Sequence, residues 1–293
     1  MSNLRLWPLR LLWILWILVP FTTGTLVDDA LARRVWSFRI GANAAFWMLW
    51  AIVLLAMLVP RVETLTFVRV VVPANVLVAL WAAAATEMDT GAIIAIVVAL
   101  MAAVVVLVAP LGEVFVNGSS YGDERRLPLR PPTATLAGPI PLAWMLCVGG
   151  AASGPLLLLA HLWISGVIAT AVGLPIAVLT ARALHQLSRR WVVFVPAGFV
   201  LHDHLALREP VLFPRADVTA LGPAAADTHA HDLTAGAAGL ALQVDFAAPF
   251  DVALTTREEA VDLVPLTQFL FSPSRPGQVL AEAERRRLRV TRR

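Results

Sequence analysis

The chain has 293 residues, 59% of them hydrophobic and 15% charged, with a mean hydropathy of +0.76 and a formal net charge of +3. Soluble chains average about 25% charged residues, so this composition excludes an ordinary soluble domain and a disordered chain. The single cysteine, Cys147, excludes a disulfide scaffold and is expected to pack as a small hydrophobe. All 23 basic residues are arginine, and the pI near 10.3 reflects a side chain that never loses its proton rather than a nucleic-acid partner.

Six runs without a charged side chain follow one another, at 11–27, 43–60, 70–86, 91–110, 138–160 and 165–181. Each has 17 to 23 residues, close to the roughly 20 that cross a hydrocarbon core of about 30 Å as a helix. Backbone groups in lipid must satisfy one another, so the runs are predicted to be transmembrane helices. The first, preceded by Arg5 and Arg10, also has features of a signal peptide, with Ala30-Leu31-Ala32 as a cleavage triplet. Asp28, Asp29, Arg33 and Arg34 around that triplet favour a retained helix. Apolar Val27, Leu31, Val35 and Phe38 recur at helical spacing, consistent with a segment lying flat at the outer interface or with a solvated loop. Gly150 and Gly154 in the fifth run form a pair that lets another helix approach closely.

Six spans put both ends on one side. That side receives ten arginines (Arg5, Arg10, Arg61, Arg69, Arg125, Arg126, Arg130, Arg182, Arg189 and Arg190), against Arg33, Arg34 and Arg39 on the other. Positive-inside bias therefore places the N-terminus, the loop 111–137 and the C-terminal part in the cytoplasm of a bacterial inner membrane. That loop has 27 residues, holds the only tyrosine, Tyr121, and alternates in charge through Arg125, Arg126 and Arg130. Long loops tend to be functional or disordered, and this one is expected to dock a domain or partner, or to be a flexible connector.

Residues 1–184 hold 19 charged side chains and residues 185–293 hold 24. This charge step divides the chain into a membrane domain, 1–184, and a cytoplasmic domain, 185–293. In the second part Trp191–Val195, Phe199–His204, Val211–Phe213, Val218–Leu221, Leu240–Phe246 and Val252–Thr255 are predicted strands. Pro196-Ala197-Gly198 turns the first pair into a hairpin. Pro223–Gly239, rich in Ala, Gly and His, is expected to be a long mobile loop. In Ala260–Phe271, Val261, Leu263 and Leu266 are expected to be buried. Gln278–Leu288 is a predicted helix, with Leu280 and Leu288 facing the strands. The predicted fold class is thus an α-helical membrane bundle of about six spans plus a small antiparallel β-barrel closed by one C-terminal helix.

The block Arg190-Trp191-Val192-Val193-Phe194-Val195-Pro196-Ala197-Gly198-Phe199-Val200, the strand Pro210–Arg215 and the terminal helix carry a resemblance over roughly residues 186–290. They resemble the pleckstrin-homology-like domains that bacteria attach to membrane helices. The whole sequence is also similar to multi-pass membrane proteins of actinobacteria. The resemblance implies an interaction or assembly module, without catalytic residues. The first hairpin's turn, Pro196-Ala197-Gly198, carries no basic residue that would hold a phosphoinositide.

Residues 185–284 contain six arginines and twelve acids, whereas Arg285–Arg293 contains six arginines and no acid. The tail is therefore drawn to anionic lipid while the domain body is repelled; otherwise it is a solvated helix end favoured by its own dipole. Arg125, Arg126, Arg130, Arg285, Arg286, Arg287 and Arg289 are the candidate lipid- or partner-binding residues. His202 and His204, two apart on a strand and so on one face, are the alternative metal pair, although no metal or other cofactor is expected. The six runs carry no ionisable group of the kind coupled transporters use, and Asn75 in the third is expected to bond a neighbouring helix. Expected partners are the bilayer and a protein or second copy, with no nucleic acid. A non-catalytic interaction or assembly module, in cell-envelope organisation, is the predicted function. A small-molecule transporter, channel or polytopic enzyme is the alternative.

Overall fold

The structure, a computed structural model, describes residues 6–255 and 263–291. Arg5, Val261, Arg292 and Arg293, which enter the expectations above, lie outside the described residues. The chain forms two units. A helical unit takes Met1–Gly118 and Pro141–His185, and a sheet unit takes Ser119–Ile140 and Gln186–Arg293.

In the helical unit, α1 (Trp7–Leu18) and α2 (Thr23–Leu31) form one interrupted span. The interruption is a 3-10 turn, Val19–Phe21, around Pro20. Proline lacks an N–H, so Trp16's carbonyl loses its usual helical donor. The Val19 N–H and the Trp50 indole, at 2.9 Å, donate to it instead, and the Trp16 indole returns a bond to Trp50's carbonyl at 3.0 Å. Trp50 lies on α3 (Trp36–Leu58), so this reciprocal pair fastens the break to a second span.

The next spans are α4 (Val62–Ala85) and α5 (Thr90–Leu107), the latter N-capped by Asp89, which accepts from the Ala92 N–H at 2.8 Å. Ala82, Ala83, Ala92 and Ala95 are buried with Leu26, Val27, Ala30 and Leu31 of α2 in one cluster. Small side chains let these backbones approach without a hydrophobic driving force. Val27 and Leu31, the first apolar positions of the segment expected at the outer interface or in a loop, are thus buried within the bundle. Asn75 on α4 donates to Thr23 Oγ1 at 3.4 Å, the interhelical bond expected of it. A short buried helix, α6 (Ala109–Asn117), ends this stretch.

The last two spans are α8 (Pro139–Leu159) and α9 (Trp163–Ser188). A Cβ on Gly150 would stand 2.5 Å from Gly173's carbonyl oxygen, and one on Gly154 would collide with Thr170. The glycine pair thus does what its spacing promised. Near the turn between them, Ser37 Oγ bonds His161 Nε2 at 2.8 Å, tying α8–α9 to the start of α3. The six spans as folded are Trp7–Leu31, Trp36–Leu58, Val62–Ala85, Thr90–Leu107, Thr133–Leu159 and Trp163–Ser188. Most reach beyond the uncharged runs, because helices continue through Arg39, Arg69 and Arg182.

The sheet unit begins between spans. Strand β1 (Arg125–Pro128) precedes a four-residue helix, α7 (Thr133–Leu136). After the last span come β2 (Trp191–Val195), β3 (Gly198–His202), β4 (Val211–Pro214), β5 (Val218–Pro223), β6 (His231–Asp232), β7 (Leu242–Ala253), β8 (Leu263–Phe271) and α10 (Pro276–Arg285). Two four-stranded sheets result, in the orders β1-β2-β3-β4 and β5-β7-β8-β6. They do not close into the predicted barrel, and β6 pairs parallel with β8. The predicted domain boundary at 184/185 is corrected too: β1 pairs antiparallel with β2, so the inter-span loop supplies an edge of the sheet. Pairing of strands far apart in sequence leaves no local charge signal.

Alternation sends Val192, Phe194, Phe199 and Leu201 inward from the first hairpin, all fully buried. Phe213 meets Phe199, Phe246, Phe250 and Phe269 at ring separations of 5.0–5.3 Å, joining the two sheets face to face. Val279 and Ala283 of α10 and the following Leu288 complete this core, with Leu280 at its margin. The two predicted strands at 240–246 and 252–255 are one bent strand, β7, whose register shifts between Asp245 and Phe250. Pro249, without a ladder donor, falls inside that irregularity. Leu266 is buried as expected, but Leu263 is 60% exposed because β8 begins there, beyond the core. The expected mobile loop 223–239 is instead pinned: Thr133 N–H donates to Gly236 O at 3.1 Å and Arg130 Nη1 to Ala238 O at 2.7 Å.

Candidate functional site

Two regions of the sheet unit carry the polar chemistry. The first lies where β1 meets the end of α10. Arg286 donates to the Asp123 carbonyl and, at 2.7 Å, to Glu282 Oε1, while Arg285 forks onto Glu282 at 2.6 and 2.9 Å. Burial pushes the Glu282 carboxyl up, but the two guanidiniums outweigh it and hold it below the ordinary carboxylate value. The structure thus brings Arg125 and Arg126 near Arg285 and Arg286, which sequence separation concealed. It also gives some of the seven candidates partners within the unit. Arg126 is held by Glu124 and Ser119, both at 3.1 Å, and lies over the Trp191 ring; Arg130 braces the 223–239 segment. Arg285, Arg287 and Arg289 are exposed.

The second region is at the end of β3. Trp191 and His202 are cross-strand partners whose rings stack at 4.8 Å, and Arg126 covers the indole from the other side at 5.9 Å. This stack of guanidinium, indole and imidazole crosses three strands on the outer face of the first sheet. His202 Nδ1 bonds the Arg189 carbonyl at 2.9 Å. Asp203, between the two histidines, is fully buried and takes a bidentate bond from Arg190 at 2.7 Å on each oxygen. Arg190 also donates to the Arg130 carbonyl at 2.9 Å, and Asp203 accepts from the Leu205 N–H at 3.1 Å. The pair locks the loop segment, the exit of α9 and the end of β3 together.

A half-open cleft of about 240 Å³ lies beside this pair, lined among others by Gln186, Arg189, His202, His204, Arg208 and Glu209. Burial keeps the His204 imidazole below its ordinary value, with Arg190, His202 and Arg189 adding to this and Asp203 opposing it. The predicted metal pair does reach one cleft, but among the described residues no group of three or more His, Cys, Asp or Glu is placed to hold a metal ion. Asp203, the nearest carboxylate in sequence, is spent on Arg190. His229 and His231 are exposed and take no part.

Within the helical unit the structure corrects the expectation of spans free of ionisable groups. Arg69 lies about two turns inside α4 and donates to the Val106 carbonyl at 3.4 Å, in the last turn of α5. Its charge suits that helix end. Glu113 on α6 is buried, at 5% exposure. In the sequence Arg69 immediately precedes the uncharged run 70–86 and Glu113 follows the run 91–110, so both fall outside the uncharged segments.

Together, six helices long and apolar enough to cross a bilayer and a two-sheet unit fed by two chain segments define a multi-pass membrane protein. No family model, no curated protein and no solved structure matches the chain.

Proposed function

We propose that this chain is a non-catalytic interaction or assembly module anchored in a bacterial plasma membrane, of pleckstrin-homology-like kind, with its termini and sheet unit in the cytoplasm. Envelope organisation in an actinobacterium-like cell is the setting that its composition favours. The carrying observation is that the sheet unit is built from a segment between spans together with the C-terminal third, so three chain crossings tether it to the helices. A scaffold tethered to the helices raises the effective concentration of its surface at the membrane for a partner there. The surface offered is the exposed arginine group at the end of α10, Arg285, Arg287 and Arg289. The edge strands resist unspecific pairing: β1 carries two arginines and Pro128, and Pro210 and Pro214 bracket β4.

One observation favours the alternative of a transporter or polytopic enzyme, namely the polar residues Arg69 and Glu113 inside the helical unit. Affinity capture of the full-length chain from detergent, with quantitative mass spectrometry, separates the readings. The expected result is a stoichiometric protein partner or second copy whose recovery falls about tenfold, or 1.4 kcal/mol, in Arg287→Gln/Arg289→Gln. Truncation after Ala281 is not a usable variant, because it removes core residues Ala283 and Leu288. Absence of a partner, together with solute flux in proteoliposomes that Arg69→Gln abolishes, would establish the alternative.

A further inference from the structure

The end of α10 places an arginine where the backbone favours glycine. The Arg287 N–H donates to the Glu284 carbonyl at 2.9 Å and the Leu288 N–H to the Ala283 carbonyl at 3.0 Å, a doubly bonded helix ending. That ending holds Arg287 in the left-handed region, at φ 61°, where glycine is the usual occupant. Leu288 behind it is buried in the core, so the turn is fixed. Yet the Arg287 side chain is exposed and has no partner among the described residues, and Arg289 is in the same condition. Glu282 is answered twice, by Arg285 and Arg286, and Glu284 has an interaction of its own. Neither Arg287 nor Arg289 is therefore needed to balance the helix.

The segment that follows is not a loose tail. The Leu221 N–H donates to the Arg289 carbonyl and the Thr291 N–H to the Leu221 carbonyl, both at 2.9 Å, so residues 289–291 lie parallel along the outer edge of β5. A Cβ on Gly222 would collide with Thr291, so glycine there lets the segment approach. In this register Arg289 and Thr291 spend backbone groups on β5, while Val290 directs its N–H and C=O away from it. Neither group finds a partner among the described residues, although the Val290 side chain packs against the core. The second sheet thus ends in an open edge, with two uncommitted arginines beside it.

We propose that this edge takes up an extended acidic segment of a partner protein as a further strand, with Val290 supplying main-chain hydrogen bonds and Arg287 and Arg289 selecting carboxylates. The proposal rests on the reading of the α10 arginines as the partner surface, and names that partner's chemistry. Strand addition gives affinity through the backbone and specificity through alternate side chains, and arginine forks match carboxylates. The other edges suit it less: Pro128 stands in β1, Pro210 and Pro214 bracket β4, and β6 has two residues. A lipid surface would use the same charges but not the Val290 backbone groups, which separates the two experimentally.

The test uses the full-length chain in nonionic detergent, with a short fluorescent peptide alternating valine and glutamate, and its valine–lysine counterpart, as probes. Fluorescence anisotropy is expected to show binding of the glutamate peptide only, weakened by at least about tenfold in Arg287→Gln/Arg289→Gln. Val290→Pro, which removes the outward N–H but no charge, is expected to weaken it by a similar factor. Val290→Ala is expected to stay within about twofold of wild type. Should the proline variant disturb the sheet, hydrogen exchange of the wild type decides, since saturating peptide is expected to slow the Val290 amide by at least about tenfold. A wild type that does not bind the glutamate peptide, an arginine variant or a folded proline variant that binds like wild type, or a Val290 amide unchanged at saturation overturns the proposal. Binding of phosphatidylglycerol in place of the peptide, with the same arginine dependence and no change at Val290, assigns the surface to lipid and overturns it too. Partner capture that needs Arg287 and Arg289 but survives Val290→Pro would overturn strand addition alone and leave the interaction reading standing.

Discussion

Replacing Asp203 by asparagine, or Arg190 by glutamine, is expected to destabilise the sheet unit by about 3–5 kcal/mol. Both side chains are essentially out of contact with water, at 0% exposure for Asp203 and 2% for Arg190, so the surviving partner keeps a buried charge without its counter-ion. The effect spreads, because Arg190 also holds the Arg130 carbonyl and Asp203 the turn after β3. Hydrogen exchange read by mass spectrometry in β2 and β3 peptides should accelerate by roughly two to four orders of magnitude. The paired replacement Arg190→Met/Asp203→Leu should recover most of the loss, since two apolar side chains leave no orphaned charge. Exchange unchanged in the single variants would show that the pair contributes nothing to holding the sheet.

The second large effect is expected at Phe213. Its ring lies among Phe199, Phe246, Phe250 and Phe269, drawn from both sheets. Truncation to alanine removes the contact between the layers and leaves a cavity, at a cost of about 3–5 kcal/mol. The adjacent Leu212 points the opposite way and is 42% exposed, so Leu212→Ala should stay within about 0.5 kcal/mol. Exchange across β4, β7 and β8 distinguishes the two variants directly. Equal effects at both positions would mean that the two sheets do not share a core.

The helices were readable because lipid imposes a simple rule, and the inward-facing residues of β2 and β3 because alternation is local. The Gly150 and Asn75 contacts followed from the same physics, since in lipid small residues let helices approach closely and a polar side chain seeks a partner on a neighbouring helix. What stayed hidden was non-local. Nothing near Arg125 announces a partner at Phe194, and nothing near Asp203 distinguishes a buried ion-pair member from half of a metal motif. Arg190 illustrates the limit well. It counts as one more positive-inside charge in the sequence, yet it is a buried structural cation in the fold. The arginine candidates differ in setting for a similar reason: Arg126 and Arg130 make contacts within the unit, whereas Arg287 and Arg289 follow the last turn of α10 and stay exposed. Arg189 and Arg208 were missed as cleft residues, because they are 19 positions apart and only the fold brings them to one wall.

Accessibility mapping tests the central claim most directly. In a Cys147→Ser background, single cysteines replace Arg34, Met88 and Leu162 between spans, and Tyr121 and Leu212 on the two segments of the sheet unit. A membrane-impermeant maleimide is expected to label the first three in intact cells, and Tyr121→Cys and Leu212→Cys only after the membrane is opened. Labelling of Tyr121→Cys and Leu212→Cys from opposite sides would contradict the account, because β1 and β2 could not then belong to one sheet.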